Sequence, residues 1–170
     1  FYYAPPSGFL ALCTANLPNP VETIDPAEGG SPQDYFNTVL YTGSGGTQSI
    51  TGVGFESNFN WIKGRNNSDS NNLEDTVRGK KRLFSNTTGA EVDGGVDSRG
   101  SDGFTLTGGQ GTNNESGHTY VAWNWKAGTA FSNDASATGI GNVDSTGSVN
   151  TDVGFSIIAK TNTGNDNQTV

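Results

Sequence analysis

The stretch His118-Thr-Tyr-Val-Ala-Trp-Asn-Trp-Lys-Ala-Gly128 is the longest strongly patterned run in the chain. Because successive side chains of a β-strand point to opposite faces, Val121, Trp123 and Trp125 share one face of this run. The opposite face holds Tyr120, Ala122 and Asn124. Two Trp and a Val carry the largest apolar area of any short run here, and burial stabilises by about 25 cal/mol for each Å². We therefore expect a central strand of a β-sandwich whose Trp-bearing face packs in the core.

The composition favours a folded, loop-rich, all-β protein with little or no helix. Only 31% of the 170 residues are hydrophobic and 25 are Gly, a balance that a disordered chain would also show. Nine Phe, five Tyr and three Trp, placed in alternating runs, favour the folded alternative. We predict an antiparallel β-sandwich.

Charge and cysteine content exclude several classes of function. The net charge of −8 argues against binding of nucleic acid or of an anionic membrane surface. No run approaches the ~18 apolar residues of a membrane-inserted helix. Cys13 has no second cysteine with which to form an internal disulfide, so packing or oligomerisation has to supply the stability. No two carboxylates have a spacing that selects a hydrolytic pair, and we expect no enzyme activity.

The chain divides into four segments on composition. Residues 1–20 are predicted to be the extended tail of a preceding β module, and residues 21–33 have the Pro, Gly and acidic composition of a linker. Residues 34–154 form the β-sandwich domain. Residues 155–170 are either its last strand or the start of a second repeat, because Phe155–Val170 echoes Phe36–Ile50. The chain starts at Phe1 and contains no Met, which indicates a piece of a longer polypeptide.

Short β-rich runs separated by Gly and Asn predict further strands. The first run turns at Gly43–Gly46, which predicts a hairpin between it and the second run. Residues 128–150 are mostly small and polar, with isolated apolar residues such as Ile140 and Val143, and no strand is assigned there. The predicted strands lie in Tyr35–Thr42, Thr47–Gly54, Asn58–Lys63, Leu73–Phe84 (two short strands), Gly103–Thr107 and Asp152–Lys160.

Three aspartates are candidate ligands for a metal. Asp93, Asp97 and Asp102 alternate with Gly and offer hard oxygen atoms of the kind that Ca²⁺ prefers. Their spacing differs from that of an EF-hand loop, and Asp-Gly pairs also form ordinary turns. Both interpretations stay open, and no other cofactor is expected.

The basic residues cluster within twenty positions of an otherwise acidic chain. Such a patch predicts a site for anionic sugars or for a carboxylate-bearing partner. Alternatively, it is a solvated strand edge that is kept charged to prevent aggregation. The residues concerned are Lys63, Arg65, Arg78, Lys80, Lys81 and Arg82.

Aromatic side chains beside Asn and Asp suggest sugar stacking of the lectin kind. Trp61 and Tyr120 are the candidates, together with Tyr41. An aromatic residue in a strand centre is also a common core residue, so burial would remove this interpretation.

The motifs of the chain resemble large virion proteins of tailed bacteriophages. Pro5-Pro6-Ser-Gly-Phe-Leu-Ala-Leu-Cys-Thr-Ala-Asn-Leu-Pro18 is similar to the tail that follows a SPRY-type β-sandwich module in those proteins. Most of the remaining chain resembles the repeating domain that comes next, and Gly154-Phe-Ser-Ile-Ile158 resembles the opening of a further repeat. The motifs of that domain are Tyr41-Thr-Gly43, Trp61-Ile-Lys63, Asp75-Thr-Val-Arg-Gly79, Arg82-Leu-Phe-Ser-Asn-Thr-Thr88, Ser101-Asp-Gly-Phe-Thr-Leu106 and Tyr120-Val-Ala-Trp-Asn-Trp-Lys-Ala-Gly128.

This resemblance implies a concanavalin-like (lectin-like) or jelly-roll sandwich located in a virion. Its implied function is that of a structural module of a fibre, spike or tail- or capsid-associated protein, with a part in host attachment. The implied partners are copies of the chain or other virion proteins. The alternative is a carbohydrate-binding module that recognises host surface glycans. Asn124 departs from the family pattern, which commonly has Cys between the two Trp.

Overall fold

The structure is a computed structural model that describes residues 30–161, 164 and 167–170. Antiparallel strands dominate it, and two one-turn helices are the only α-helices within those residues. The predicted all-β antiparallel sandwich is therefore confirmed. No helix of the described part is long and apolar enough to cross a membrane. The predictions for residues 1–29 lie outside the described residues.

Twelve strands follow the 3₁₀ turn of Pro32–Asp34 within the described residues. The helices are α1 (Gly111–Asn114) and α2 (Ala135–Thr138). The strands are β1 (Phe36–Thr42), β2 (Gln48–Ile50), β3 (Phe59–Gly64), β4 (Asn72–Asp75), β5 (Lys81–Phe84), β6 (Val92–Asp93), β7 (Val96–Gly100), β8 (Gly103–Leu106), β9 (Thr119–Trp125), β10 (Thr129–Asn133), β11 (Ser145–Asn150) and β12 (Phe155–Lys160).

The strands form one large sheet and two small ones. The large sheet has the order β1-β9-β3-β4-β5-β6, and the small sheets are β2-β8-β7 and β10-β11-β12. Strand β9 lies between β1 and β3 and pairs with both along its length, from Thr119 to Trp125 with β1 and from Tyr120 to Trp125 with β3. The prediction that this run is a central strand is confirmed.

The side of β9 that faces the core is the opposite of the predicted one. Tyr120, Ala122 and Asn124 are 0% exposed, whereas Trp123 and Trp125 are half-buried on the outer face. The inner face packs in one core cluster with Leu106 of β8 and with Val53 and Phe55 of the segment that follows β2. On the outer face Trp123 packs against Trp61, and Trp125 packs against phenylalanine rings, so both indoles are partly shielded from water without entering the core.

The predicted hairpin between the first two strands is also wrong. Strand β1 pairs with β9, and β2 pairs with β8 in the other layer of the sandwich. Ile50 of β2 is 5% exposed and lies in the core beside Phe104 of β8. Burial of Ile50 between the layers therefore outweighs the local turn signal of Gly43–Gly46.

The third sheet lies in the part of the chain where no strand was assigned and in the predicted last strand. Strands β10 and β11 fall within residues 128–150, and β12 pairs with β11 from Phe155 to Lys160. The strands Asn58–Lys63, Leu73–Phe84 and Gly103–Thr107 are found as predicted, the second of them as β4 and β5.

Candidate functional site

The outer face of the large sheet carries a cluster of aromatic rings at one end. The rings of Phe36 and Trp125 have their centroids 4.8 Å apart, and those of Phe59 and Trp125 are 5.3 Å apart. Phe155 of the third sheet stacks on Trp125 at 6.1 Å. Strand pairing produces this cluster, because Phe36 and Phe59 both lie opposite Trp125. The cluster joins the third sheet to the large one.

A second aromatic pair occupies the middle of the same face. Trp61 lies opposite Trp123, and their ring centroids are 5.7 Å apart in an edge-to-face arrangement. Trp61 is 38% exposed and Leu40 of the edge strand β1 is 62% exposed. This face therefore presents apolar surface to the solvent beside Lys63 of the same strand.

Tyr120 does not offer its ring to a ligand from solvent. It is 0% exposed, and its hydroxyl donates to the carbonyl of Gly111 and accepts from the N–H of Glu115. Burial raises the pKa of this hydroxyl. The ring stacks on Tyr41 at 5.2 Å. The predicted sugar-stacking role of Tyr120 is therefore replaced by a role in the core.

The six basic residues do not form one patch. Lys80 pairs with Asp97 and Lys81 with Asp93, while Arg78 pairs with Asp75. Arg82 turns to the inner face, where its guanidinium lies near Thr112 and over the ring of Phe84. Lys63 donates to the main-chain oxygen of Asp69, and Arg65 is exposed in the adjoining loop. Carboxylates thus neutralise three of the six cations.

The three aspartates proposed as Ca²⁺ ligands are used separately. Asp93 and Asp97 belong to the two lysine pairs described above. Asp102 accepts hydrogen bonds from the N–H groups of Gly52 and Gly54, which lowers its pKa. Within the described residues, these three carboxylates do not converge into a ligand set.

A different cluster of potential ligands lies at one end of strands β3 and β9. The ligand atoms of Asp69, Glu115 and His118 all lie within 4.8 Å of one another. The Nδ1 atom of His118 is 3.4 Å from a carboxylate oxygen of Glu115. Sequence reasoning missed this cluster, because Asp69 is far in the chain from Glu115 and His118. The two loops meet because Gly64 pairs with Tyr120 and the N–H of Arg65 donates to the carbonyl of Thr119.

Polar side chains form a buried row across the inner face of the large sheet. Asn124 lies opposite Asn37 on one side and opposite Asn60 on the other, and Glu74 follows next to Asn60. Glu74 is 1% exposed and accepts from the N–H of Val96 and from the amide of Asn113. Burial raises the pKa of Glu74, while its hydrogen bonds and two nearby arginines oppose the shift.

The third sheet exposes apolar residues on one face. Phe131, Gly147 and Ile158 lie opposite one another across the three strands. Phe131 is 36% exposed and Ile158 is 50% exposed. A groove of about 480 Å³ runs between this sheet and the segment that contains Val77.

Comparison with known families gave one match. The sequence profile of a family described as "Domain of unknown function (DUF7483)" matches residues 31–170. This range contains the strands of all three sheets. No curated protein and no solved structure matches the chain.

Proposed function

We propose that this chain, which belongs to the DUF7483 family, is a structural module that assembles with copies of itself in a virion appendage. The proposal places the module in a fibre, spike or tail- or capsid-associated protein of a bacteriophage, with a part in host attachment. The virion assignment rests on the motif resemblance. The self-assembly is supported by one feature of the fold, the third sheet.

The third sheet has no apolar core of its own. None of the buried apolar side chains of the described residues belongs to β10, β11 or β12. A sheet of two or three strands needs an apolar face that is covered in order to be stable in water. The contacts of Phe155 with Trp125 and Phe59 anchor one end of this sheet to the large sheet. Contact with another copy of the chain would bury the exposed apolar face of this sheet.

The face that would be covered is defined by its strand register. Phe131 and Ile158 flank Gly147, and a Cβ atom at residue 147 would lie 2.5 Å from the ring of Phe131. The glycine makes room for this ring over β11, and Phe131 and Ile158 share one face of the sheet by their register. We define this surface as the Phe131–Ile158 face. Both edge strands of this sheet, β10 and β12, also lack a second strand partner within the described residues.

Size-exclusion chromatography with light scattering on the 170-residue chain tests the assembly. We expect a multimer that dissociates when Ile158→Ser removes apolar area from the Phe131–Ile158 face. Ile140→Ser is the matched control, because Ile140 is 63% exposed but lies between α2 and β11, outside the three strands. A chain that stays monomeric at every concentration, or equal behaviour of the two variants, would overturn the proposal.

Glycan binding is the second candidate, and the exposure of Trp61 favours it. The indole of Trp61 is 38% exposed next to Lys63, and such a ring can stack on a sugar face. A glycan array with the wild type and Trp61→Ala tests this candidate, and Leu40→Ala on the same sheet face is the control. Binding that Trp61→Ala abolishes and Leu40→Ala retains would support it. An array without any hit, with and without Ca²⁺, would exclude it.

A further inference from the structure

The Asp69, Glu115 and His118 cluster combines two carboxylates with an imidazole. Asp69 lies in the loop between β3 and β4, and the other two residues lie in the turn that leads into β9. Their ligand atoms lie within 4.8 Å of one another. Tetrahedral ligands that each stand about 2.0–2.2 Å from a shared Zn²⁺ ion are about 3.3–3.6 Å apart, so these atoms would have to approach one another by roughly 1 Å. Only small movements are needed to bring these atoms around one cation.

Main-chain and side-chain hydrogen bonds hold both loops in place. The N–H of His118 donates to the carbonyl of Glu115, and the N–H of Glu115 donates to the hydroxyl of Tyr120. Lys63 donates to the main-chain oxygen of Asp69. Gly43 allows the close approach of the turn, since a Cβ atom there would lie 2.3 Å from the carbonyl oxygen of Glu115. The cluster is therefore set by the fold, before any ligand binds.

Asn67 supplies a second and independent observation. Its amide nitrogen lies 3.0 Å from a carboxylate oxygen of Asp69 and 2.8 Å from the Nδ1 atom of His118. Its amide oxygen is enclosed and has no hydrogen-bond partner. A half-turn of the amide would exchange the two atoms and aim that oxygen at the same point. Gly64 leaves the space for this side chain, because a Cβ atom there would lie 1.9 Å from the amide oxygen.

The charges around the cluster favour a cation. Two carboxylates face one imidazole, and the ammonium group of Lys63 is engaged by a main-chain oxygen, that of Asp69. The two carboxylates therefore give the cluster a negative charge that a bound cation would balance.

We propose that Asp69, Glu115 and His118 bind a divalent cation of the Zn²⁺ class, with the Asn67 amide oxygen as a fourth ligand. The imidazole decides the class, because Ca²⁺ takes oxygen ligands whereas Zn²⁺ accepts nitrogen and carboxylate oxygen together. The cation would tie the loop after β3 to the turn before β9. Since the side chains of Glu115 and His118 are 50% and 34% exposed, water or an external donor can reach the bound ion.

Isothermal titration of the 170-residue chain with ZnCl₂ after EDTA treatment tests this site. All proteins carry Cys13→Ser, because a thiolate is the other strong Zn²⁺ ligand that the sequence offers. We expect one ion per chain, and a loss of affinity of at least about tenfold in His118→Asn and in Asp69→Asn. Asp93→Asn is the matched control, since Asp93 is exposed and outside the cluster, and its affinity should equal that of the parent.

A direct readout does not depend on the folding of the variants. His118 is the only histidine of the chain, so its imidazole resonances are unique in an NMR spectrum. These resonances should shift at one equivalent of Zn²⁺ and keep that position when Ca²⁺ is added in excess. Imidazole resonances that stay unchanged at saturating Zn²⁺, or equal affinities of His118→Asn and the parent, would overturn the proposal.

Discussion

The Oδ1 atom of Asn124 accepts a 2.8 Å hydrogen bond from the Nδ2 atom of Asn60, inside the sandwich and across the pairing of β9 with β3. Ser57 donates to the same oxygen, and the amide nitrogen of Asn124 donates to the carbonyls of Asn37 and Ala122. The amide of Asn124 is therefore fully used, although the residue is 0% exposed. Its role is to connect three strands from within the core.

Asn124→Ala should strongly destabilise the domain. The change leaves a cavity and takes one partner from both Asn60 and Ser57, for which we expect a loss of about 2–4 kcal/mol in the free energy of unfolding. Urea denaturation followed by Trp fluorescence measures it. Asn86→Ala is the control, because Asn86 is exposed and accepts only one 3.2 Å bond from Asn71. A difference between the two variants below about 0.5 kcal/mol would contradict the buried network.

Two leucines compare the core between the layers with the outer face of the large sheet. Leu106 is 0% exposed in β8, whereas Leu40 is 62% exposed on the outer face of β1. Leu106→Ala should cost about 2–5 kcal/mol, because it opens a cavity in the core. Leu40→Ala should cost less than about 0.5 kcal/mol. Denaturant unfolding of both variants is the measurement, and equal losses would show that the outer face is also buried in the monomer.

Glu74 should make stability decrease as the pH rises above the ordinary range of a glutamate. Because its folded-state pKa is raised, the folded protein binds more protons than the unfolded chain between the ordinary and the raised value. The free energy of unfolding therefore falls through that window, by at most about 1.4 kcal/mol for each pH unit. Glu74→Gln should remove this slope. The glutamine amide of this variant can also donate a hydrogen bond to the amide oxygen of Asn113, which is buried without a hydrogen-bond partner.

The control for this prediction is Glu56→Gln, since Glu56 is exposed. Unfolding free energies measured across the acidic and neutral range should show the wild-type slope in Glu56→Gln. A slope that persists in Glu74→Gln would assign the pH dependence to other groups.

Asp102→Asn should lower the melting temperature at neutral pH without any effect of Ca²⁺. The ionised carboxylate accepts 3.1 Å and 2.7 Å bonds from the N–H groups of Gly52 and Gly54, and its pKa is lowered for that reason. The stability that it adds is present above the ordinary pKa of Asp and is lost as the pH falls through the lowered value. Asp97→Asn, which removes only an exposed pair with Lys80, should change little.

Thermal scans of both aspartate variants with millimolar Ca²⁺ or EDTA complete this test. The melting temperatures should be the same in the two solutions. Stabilisation of the wild type by Ca²⁺ that disappears in Asp102→Asn would instead support the metal site first predicted from the sequence.

The alternation of Tyr120–Trp125 was sufficient to predict a central strand, but it could not identify the buried face. Alternation along a strand assigns its side chains to two faces. Hydrophobicity then identifies the buried face only when the side chains of the other face are clearly polar. Here Asn124 pairs with another buried amide, that of Asn60, which a single sequence does not reveal. The apolar Trp123 finds its cover in Trp61 on the outer face.

Long-range pairing explains the other differences. The turn residues Gly43–Gly46 predicted a hairpin, yet β2 belongs to the second layer, where Ile50 is buried. Strands β10 and β11 gave no signal, because they bury no apolar side chain that could produce a pattern. The cluster of Asp69, Glu115 and His118 also depends on long-range strand pairing. Its members meet only because β3 and β9 are neighbours.

Hydrogen exchange of residues 145–160, followed by mass spectrometry at low and high protein concentration, tests self-assembly through the third sheet most directly. Because this sheet has no core in one chain, its amides should exchange fast at low concentration and severalfold more slowly once copies associate. Amides of β9, which lie inside the large sheet, should exchange slowly at both concentrations. Exchange of residues 145–160 that is the same at every concentration would contradict assembly through the Phe131–Ile158 face.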